Sequence, residues 1–315
     1  MIVNLYRKYI PENIRTSIYN LFLKDLLLFI RSPFFAIQKI FLVSKIEAFY
    51  KKNLDKCSDE YKESLQFIKN YGIHTFPNDF INKYKDLKVQ VYYSEEHNMY
   101  YVIHENKKLF FSRKYTKSQV IGYYRSLLLE QDCNSPHVYT SKDFQLESES
   151  VIFDVGTAEG FFSLLNIEKA SHIYLFECEN EWIDALKATF APWIHKITIV
   201  QAFVSDKNSD NSIVLGDYIK KNKIKVDFIK MDIEGWEVPS LKASIDSLTL
   251  VNNELLLSVC CYHHASDEKN ITAILKSANF ECKTSKGLML VCDVDAKTIK
   301  APYFRKGVIY ARKKL

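Results

Sequence analysis

The chain has 315 residues, 47% apolar and 26% charged, the balance of a globular protein able to bury a core. Its 21 Phe and 20 Tyr against only 8 Gly and 7 Pro exclude collagen-like, linker-rich and disordered classes. A net charge of +5 is too mild to indicate nucleic acid, so no nucleic-acid partner is expected.

The charge is unevenly spread. Residues 1–52 carry nine basic and three acidic side chains, a net of +6, whereas the remaining 34 basic and 35 acidic residues leave −1. Two helices are expected in this arm. One starts near Pro11, Ser32-Pro33 ends it, and a second runs to about Leu54. In the second, Phe34, Ile37, Phe41, Leu42, Ile46 and Phe49 recur at helical spacing, with Lys39, Lys45 and Lys52 outside the stripe. Such a helix can lie on an anionic membrane surface, or pack on its own domain or a second subunit. A membrane span is not expected, because Leu21–Ile30 is broken by Lys24 and Asp25. Nor is a secretory signal. The seven Cys form no C-x-x-C pair, which suggests free thiols. Together these features suggest a cytoplasmic protein, with contact at the inner face of the membrane as an option.

Tyr61, Leu65 and Ile68 predict a helix closed near Gly72. Lys88–Tyr92, Tyr100–His104 and Leu109–Ser112 then read as a three-stranded meander, and Thr116–Gln131 as a helix. From Val151 the pattern is α/β. Strands are expected at Val151–Val155, Ile173–Phe176, Ile197–Val200, Val226–Met231 and Leu255–Cys261. Helices are expected from about Gly160, at Asn180–Phe190 and at Asp267–Ala278. Gly287–Cys292 and Gly307–Ala311 read as a closing strand pair. The expected fold class is α/β, a doubly wound, mostly parallel sheet with an antiparallel edge hairpin. A helical arm (1–60) and a lead-in with the small β-meander (61–145) precede the sheet domain (146–315).

Three constellations carry chemistry. The first, Asp154-Val-Gly156-Thr157-Ala158-Glu-Gly160, lies where the first strand turns into a helix. There glycines let backbone approach a ligand at the helix N-terminus. A dinucleotide loop of the G-x-G-x-x-G/A type would need small residues where Ala158 and Phe161 stand, and Phe161 is bulky. Asp154 near a pyrophosphate would be repulsive. The loop suits a phosphate-free ligand with an amino group, such as S-adenosylmethionine. Glu177, 21 positions after Gly156, ends the second strand, where an acid can accept both hydroxyls of a ribose. The third constellation is Asp227–Glu237. Asp232 and Glu234 follow the fourth strand at the sheet's carboxyl end, where open α/β sheets bind ligands. Glu237 reads as a helix-start acid that complements the dipole.

On these residues, Val151–Arg312 resembles the FkbM family of S-adenosylmethionine-dependent methyltransferases. DFIKMDIEGWE at Asp227–Glu237 looks like its most specific signature, and FDVGTAEGFFSL and YLFECEN look like its first two motifs. Ser135-Pro136-His137-Val-Tyr139 and Pro302-Tyr-Phe-Arg-Lys-Gly307 resemble a subset encoded with bacterial surface-polysaccharide genes. The resemblance implies the class I methyltransferase fold and O-methylation of a sugar or polyketide hydroxyl. It also implies that Asp154, Gly156, Gly160 and Glu177 bind the donor, with Thr157 in the same loop and Asp232 beside it. His263 falls where members often have a histidine after the fifth strand. Many of them carry an acid shortly before it, where this chain reads Ser258-Val-Cys260-Cys-Tyr262.

Methyl transfer needs a hydroxyl held in line with the sulfonium methyl, and removing its proton helps. His263 is the first candidate base, because an unperturbed imidazole titrates near neutrality. His264, then Asp232 or Glu234, are the next. His137 and Tyr139, with His264, are candidates for the acceptor pocket. A divalent ion on Asp232, Glu234 and the acceptor hydroxyls is compatible with the spacing, which does not require it. The expected partner is a sugar or glycan acceptor, and a homo-oligomer is compatible with the sequence. Two other functions stand beside this one. One is a non-catalytic module docked to a membrane-associated glycan-assembly complex. The other is a nicotinamide-dependent oxidoreductase, which Ala158 and Phe161 disfavour.

Overall fold

A computed structural model describes residues 40–52, 58–251, 254–291 and 301–313. The first expected helix, and Phe34 and Ile37 of the second, lie outside them. The chain divides into two units, one holding residues 1–74 and 292–299, the other 75–291 and 300–315.

In the first unit, α1 (40–51) buries Leu42, Ile46 and Tyr50, spaced four apart as one helix face requires. Phe41 and Phe49, expected on the same stripe, are exposed. α2 (Asp59–Tyr71) ends at Gly72, whose positive φ of 83° closes it at the expected place. Tyr50 meets Tyr61 at 5.5 Å between ring centroids, and Glu47 pairs with Lys69 at 3.1 Å. Among the described residues, no helix is long and apolar enough to cross a membrane.

The second unit begins with a single turn, α3 (Asn82–Lys85), and the meander β1 (Val91–Ser94), β2 (Met99–His104) and β3 (Lys107–Phe110). The first strand sits about two residues later than expected, because Asn98, at φ 53°, sets the β1–β2 register. α4 (Lys117–Glu130) starts on a capping box in which Thr116 and Gln119 satisfy each other's backbone N–H groups.

The main sheet is built from β4 (Ser150–Val155), β5 (Ala170–Phe176), β6 (Ile197–Val200), β9 (Phe228–Met231), β10 (Leu256–Cys260), β11 (Phe280–Thr284) and β14 (Val308–Lys313). Short two-stranded pairs, β7 (Phe203–Val204) with β8 (Ser212–Ile213) and β12 (Met289–Leu290) with β13 (Phe304–Arg305), lie outside it. Its order is β11-β14-β10-β9-β4-β5-β6, and β14 alone runs against its neighbours. Taken from β6, the seven strands follow chain order 3-2-1-4-5-7-6 with the seventh reversed, the class I methyltransferase topology. The helices are α5 (Phe161–Asn166), α6 (Asn180–Phe190), α7 (Leu215–Asn222), α8 (Glu237–Val251) and α9 (Asp267–Ser277).

One expectation is corrected here. The strand that pairs with the reversed strand is Phe280–Thr284, not Gly287–Cys292. Asn279, at φ 64°, turns the chain out of α9 directly into β11, and Met289–Leu290 then pairs with Phe304–Arg305 instead. The reversed strand lies second from the edge, between β10 and β11.

Two apolar layers cover the sheet. Leu215, Leu241, Leu248 and Leu275, from α7, α8 and α9, fill one side. Phe161, Leu164 and Leu186 from α5 and α6, with Val120 and Leu127 of α4, fill the other. The second layer brings the meander and α4 over the sheet, which is how lead-in residues reach the site. Five described cysteines, Cys133, Cys178, Cys260, Cys261 and Cys282, are free thiols.

Candidate active site

Strands β4, β5 and β6 step one way from the centre of the sheet, and β9 and β10 step the other. Chain order therefore reverses between β4 and β9, and the loops leaving their carboxyl ends part to leave a crevice. A cavity of about 510 Å³ lies there, lined by Gly156, Thr157, Glu177, Asp232 and Glu234, and by His137 and Tyr139 of the lead-in.

Two tight loops shape it. Gly156 has φ 76°, and a Cβ there would fall 1.8 Å from the Asp232 carbonyl oxygen. Only glycine lets the first strand's loop pass this close to the fourth strand's end. Ala158 and Glu234, both on the cavity wall, are also left-handed, at φ 49° and 54°. Such backbone is uncommon outside glycine and collects at functional sites. Glu177 is held in place, its Oε2 accepting from the Ala158 N–H and its Oε1 from the Glu179 N–H, both at 2.8 Å. Free lone pairs remain on both oxygens for ligand hydroxyls. Gly160 caps α5 behind the wall, packed against Leu186 and Phe190.

Asp154 is placed differently from expectation. It is fully buried, does not line the cavity, and faces Lys230, whose Nζ lies 3.0 Å from Asp154 Oδ1. Ser163 Oγ donates to Asp154 Oδ2 at 2.6 Å, and Lys230 also donates to the Gly156 carbonyl. The acid thus anchors a buried cation under the glycine loop rather than meeting a ligand amino group. Burial alone would pull the Lys230 ammonium down, but Asp154 and then Asp232 hold it well above the usual lysine range. The lysine of DFIKMDIEGWE is a structural cation.

Asp232 gathers donors from the lead-in and the fifth strand's end. Tyr139 donates to Oδ2 at 2.8 Å and Tyr262 to Oδ1 at 3.4 Å. His137 Nε2 lies 3.4 Å from Oδ2, and His263 Nε2 3.5 Å from Oδ1. Burial pushes the Asp232 carboxyl up, but His137 and then Lys230 and His263 outweigh it and hold it below the usual carboxylate range. Burial likewise opposes charge on His137, yet the bond to Asp232 leaves its pKa raised.

His263 stands among three carboxylates. Besides Asp232, Glu234 Oε2 lies 3.5 Å from its Nε2 and Glu237 Oε1 3.2 Å from its Nδ1. Burial works against the charged ring, but Glu234 and Glu237 dominate and the pKa is pushed up to about 10. At neutral pH this ring is an imidazolium with no capacity to take a proton. The reason for choosing His263 as the base, an unperturbed imidazole, does not hold in the folded chain. His264 is exposed at the start of α9. Its backbone N–H bonds Asp267 and its ring packs on Gly235, away from the cavity wall. Glu237 begins α8 as the dipole argument expects. It is also fully buried, accepts from the Ile233 N–H at 2.8 Å, and sets the His263 ring.

Among the described residues, His137, Asp232 and Cys260, and separately Asp232, Glu237 and His263, bring ligating atoms within 4.8 Å of one another. The second set has two carboxylates with the hard oxygens a divalent ion prefers, beside the His263 ring. Sequence reasoning missed Lys230, Glu237 as a histidine partner, Tyr262, and the two cavity carboxyls Glu130 and Glu159. Lys230 and Glu159 lie inside motifs already singled out, and Glu237 and Tyr262 at their edges or beside a chosen histidine, whereas Glu130 left no such signal.

No family model matches the chain, and no curated protein matches it. Solved structures do, among them these three. The FkbM methyltransferase of Methylobacillus flagellatus KT is 17% identical over 61% of this chain and 52% of its own, with a TM-score of 0.42. A precorrin-6y C5,15-methyltransferase from Geobacter metallireducens GS-15 is 12% identical over 65% and 92%, with a TM-score of 0.36. SMU.1697c, a methyltransferase-like protein of Streptococcus mutans solved with S-adenosylhomocysteine, is 12% identical over 54% and 91%, with a TM-score of 0.35. The match spans about half the length of the Methylobacillus protein. The fold itself, a seven-stranded sheet with one reversed strand next to its edge, is that of the class I S-adenosylmethionine-dependent methyltransferases.

Proposed function

We propose that the chain is an S-adenosylmethionine-dependent O-methyltransferase whose acceptor is a sugar hydroxyl in a surface glycan. One observation carries the reading: a single cavity at the sheet's order reversal joins a glycine loop, a ribose-type acid and a carboxylate hub. The residues fit the donor. Gly156 lets the loops after the first and fourth strands close on one another at the cavity, and Glu177 presents an oriented carboxylate. The wall is acidic, which suits a ligand of net positive charge.

When bound, the donor supplies an electrophilic methyl group on a sulfonium. The chain's own residues position the acceptor and shape the field around it. Asp232, kept ionised, accepts a hydrogen bond from the acceptor hydroxyl and aims an oxygen lone pair. Tyr139, Tyr262 and His137 fix the rotamer of Asp232, so little reorganisation is left at the moment of transfer. We assign the acceptor-facing role to Asp232 rather than to His263, which as a cation holds Asp232 and Glu234 in place. A carboxylate held this low is a weak base, so it takes the hydroxyl proton late, as the oxygen is alkylated, and passes it to solvent; most of the rate comes from positioning. The test is calorimetry with S-adenosylmethionine and S-adenosylhomocysteine. Glu177→Ala should weaken both at least about tenfold, some 1.4 kcal/mol. Absence of donor binding by the intact protein, or unchanged binding in Glu177→Ala, would overturn the assignment.

A further inference from the structure

The cavity is one-sided in charge. Glu130, Glu159, Glu177, Glu179, Asp232 and Glu234 all line it, against only Lys230 and His137 among the basic residues. Neither base is free for a ligand, since Lys230 is bound to Asp154 and the Gly156 carbonyl and His137 to Asp232. Glu177 is tied to the donor's ribose in the reading above, and Asp232 to the reacting hydroxyl. Glu130 and Glu159 have no role there.

Glu130 closes α4 and Glu159 follows Ala158 in the glycine loop, so the two reach the cavity from different elements. Glu159 is 5% exposed; Tyr123, on α4, donates to its Oε2 at 3.0 Å, and the Phe161 N–H donates to Oε1 at 3.2 Å. The carboxylate of Glu130 has no hydrogen-bond or ion-pair partner among the described residues. Gln131, the next residue, accepts from the Tyr139 N–H at 3.4 Å, and Tyr139 donates to Asp232, which puts this end of α4 beside the Asp232 hub. Burial raises both carboxyls, Glu159 to about 7, with the charge of Glu130 adding to that rise. Carboxyls crowded this way lack positive charge, and a ligand that brings hydroxyl or ammonium donors relieves them.

We propose that Glu130, supported by Glu159 and Tyr123, selects the acceptor by charge: this end of the cavity takes a cationic or neutral polyhydroxyl group and rejects one bearing a carboxylate, phosphate or sulfate beside the reacting hydroxyl. The inference rests on the donor lying over the glycine loop and Glu177. It deepens that reading by naming the class of acceptor. Like charges facing one another across the cavity disfavour the wrong partner, which is how charge supplies specificity.

The test uses the full chain saturated with S-adenosylhomocysteine and three probes at millimolar concentration: glucosamine, methyl glucoside and glucuronate. Ligand-observed NMR measures their binding. Glucosamine should bind at least about tenfold tighter than glucuronate, with methyl glucoside between them. Glu130→Gln should shrink that ratio to about threefold or less without changing the S-adenosylhomocysteine affinity. Should Glu130→Gln fail to melt like the parent, Glu159→Gln is the second variant, and it should shrink the ratio in the same direction. Equal binding of glucuronate, an unchanged ratio in the variant, or no binding of any probe overturns the inference. Those outcomes leave the donor site standing as long as S-adenosylhomocysteine still binds. Loss of S-adenosylhomocysteine binding in the parent chain removes both.

Discussion

Lys230→Met is the sharpest probe of how the site is built. The ammonium sits 3.0 Å from Asp154 Oδ1, with the two side chains 5% and 0% exposed. It also lies 5.2 Å from the centroid of the Tyr139 ring. A methionine fills much of the same volume but carries no charge, so Asp154 keeps only the Ser163 hydroxyl as a partner. Removing one member of a buried ion pair costs about 3–5 kcal/mol, because the remaining charge is left uncompensated in a dry site. At about 2–4 °C per kcal/mol for a domain of this size, the melting temperature should fall by roughly 6–20 °C. Urea unfolding of the single variants and of Lys230→Met with Asp154→Asn completes a double-mutant cycle. The double variant should recover about 2 kcal/mol or more of the single-variant loss, since asparagine still accepts from Ser163 and leaves no stranded charge. A loss below about 1 kcal/mol in Lys230→Met, or strictly additive losses, would refute the buried-pair account.

Two further outcomes follow from the same geometry. The folded His263 pKa, pushed up to about 10, lies above the unfolded value of about 6.5. The stability this adds is fully present below pH 6.5 and is lost as pH rises towards 10. The stability gap between the parent and His263→Gln should therefore narrow over that window, and the His263 ring proton resonances should stay fixed between about pH 5.5 and 8.5. An NMR midpoint near 7 would restore His263 as a base and sink the imidazolium reading. Gly156→Ala places a Cβ 1.8 Å from the Asp232 carbonyl oxygen at φ 76°. It should cost at least about 2 kcal/mol in chemical unfolding and abolish S-adenosylhomocysteine binding; near-parental stability and binding would show that the two loops do not need their close approach.

The sheet was readable where local pattern and tertiary demand agree. Strands such as Val151–Val155 and Leu255–Cys261 are apolar at all but one position each, because both faces of a parallel strand are buried. Thr116 and Gln119 marked the start of α4 because a capping box is satisfied within four residues. The glycine loop, Glu177 and Asp232 stood out because a ligand crevice at strand ends draws on short segments fixed by their neighbours in sequence. β11 did not stand out. FECKT buries only Phe280 fully, and what makes it a strand is β14 beside it, a partner about thirty residues away in sequence.

Sequence by itself determined the alternation of strands and helices, the loop that needs glycine, and the acids that reach the sheet's carboxyl edge. Each depends on backbone preferences and periodicities within a few residues. Only the tertiary structure decided what charge those acids and bases carry. It turned Asp154 from a ligand contact into the counter-ion of Lys230, and surrounded His263 with Asp232, Glu234 and Glu237 so that it stays protonated. It also set Glu130 at the cavity with no partner among the described residues. A side chain's proton affinity depends on burial and on neighbours brought together from across the chain, and spacing along the sequence records neither.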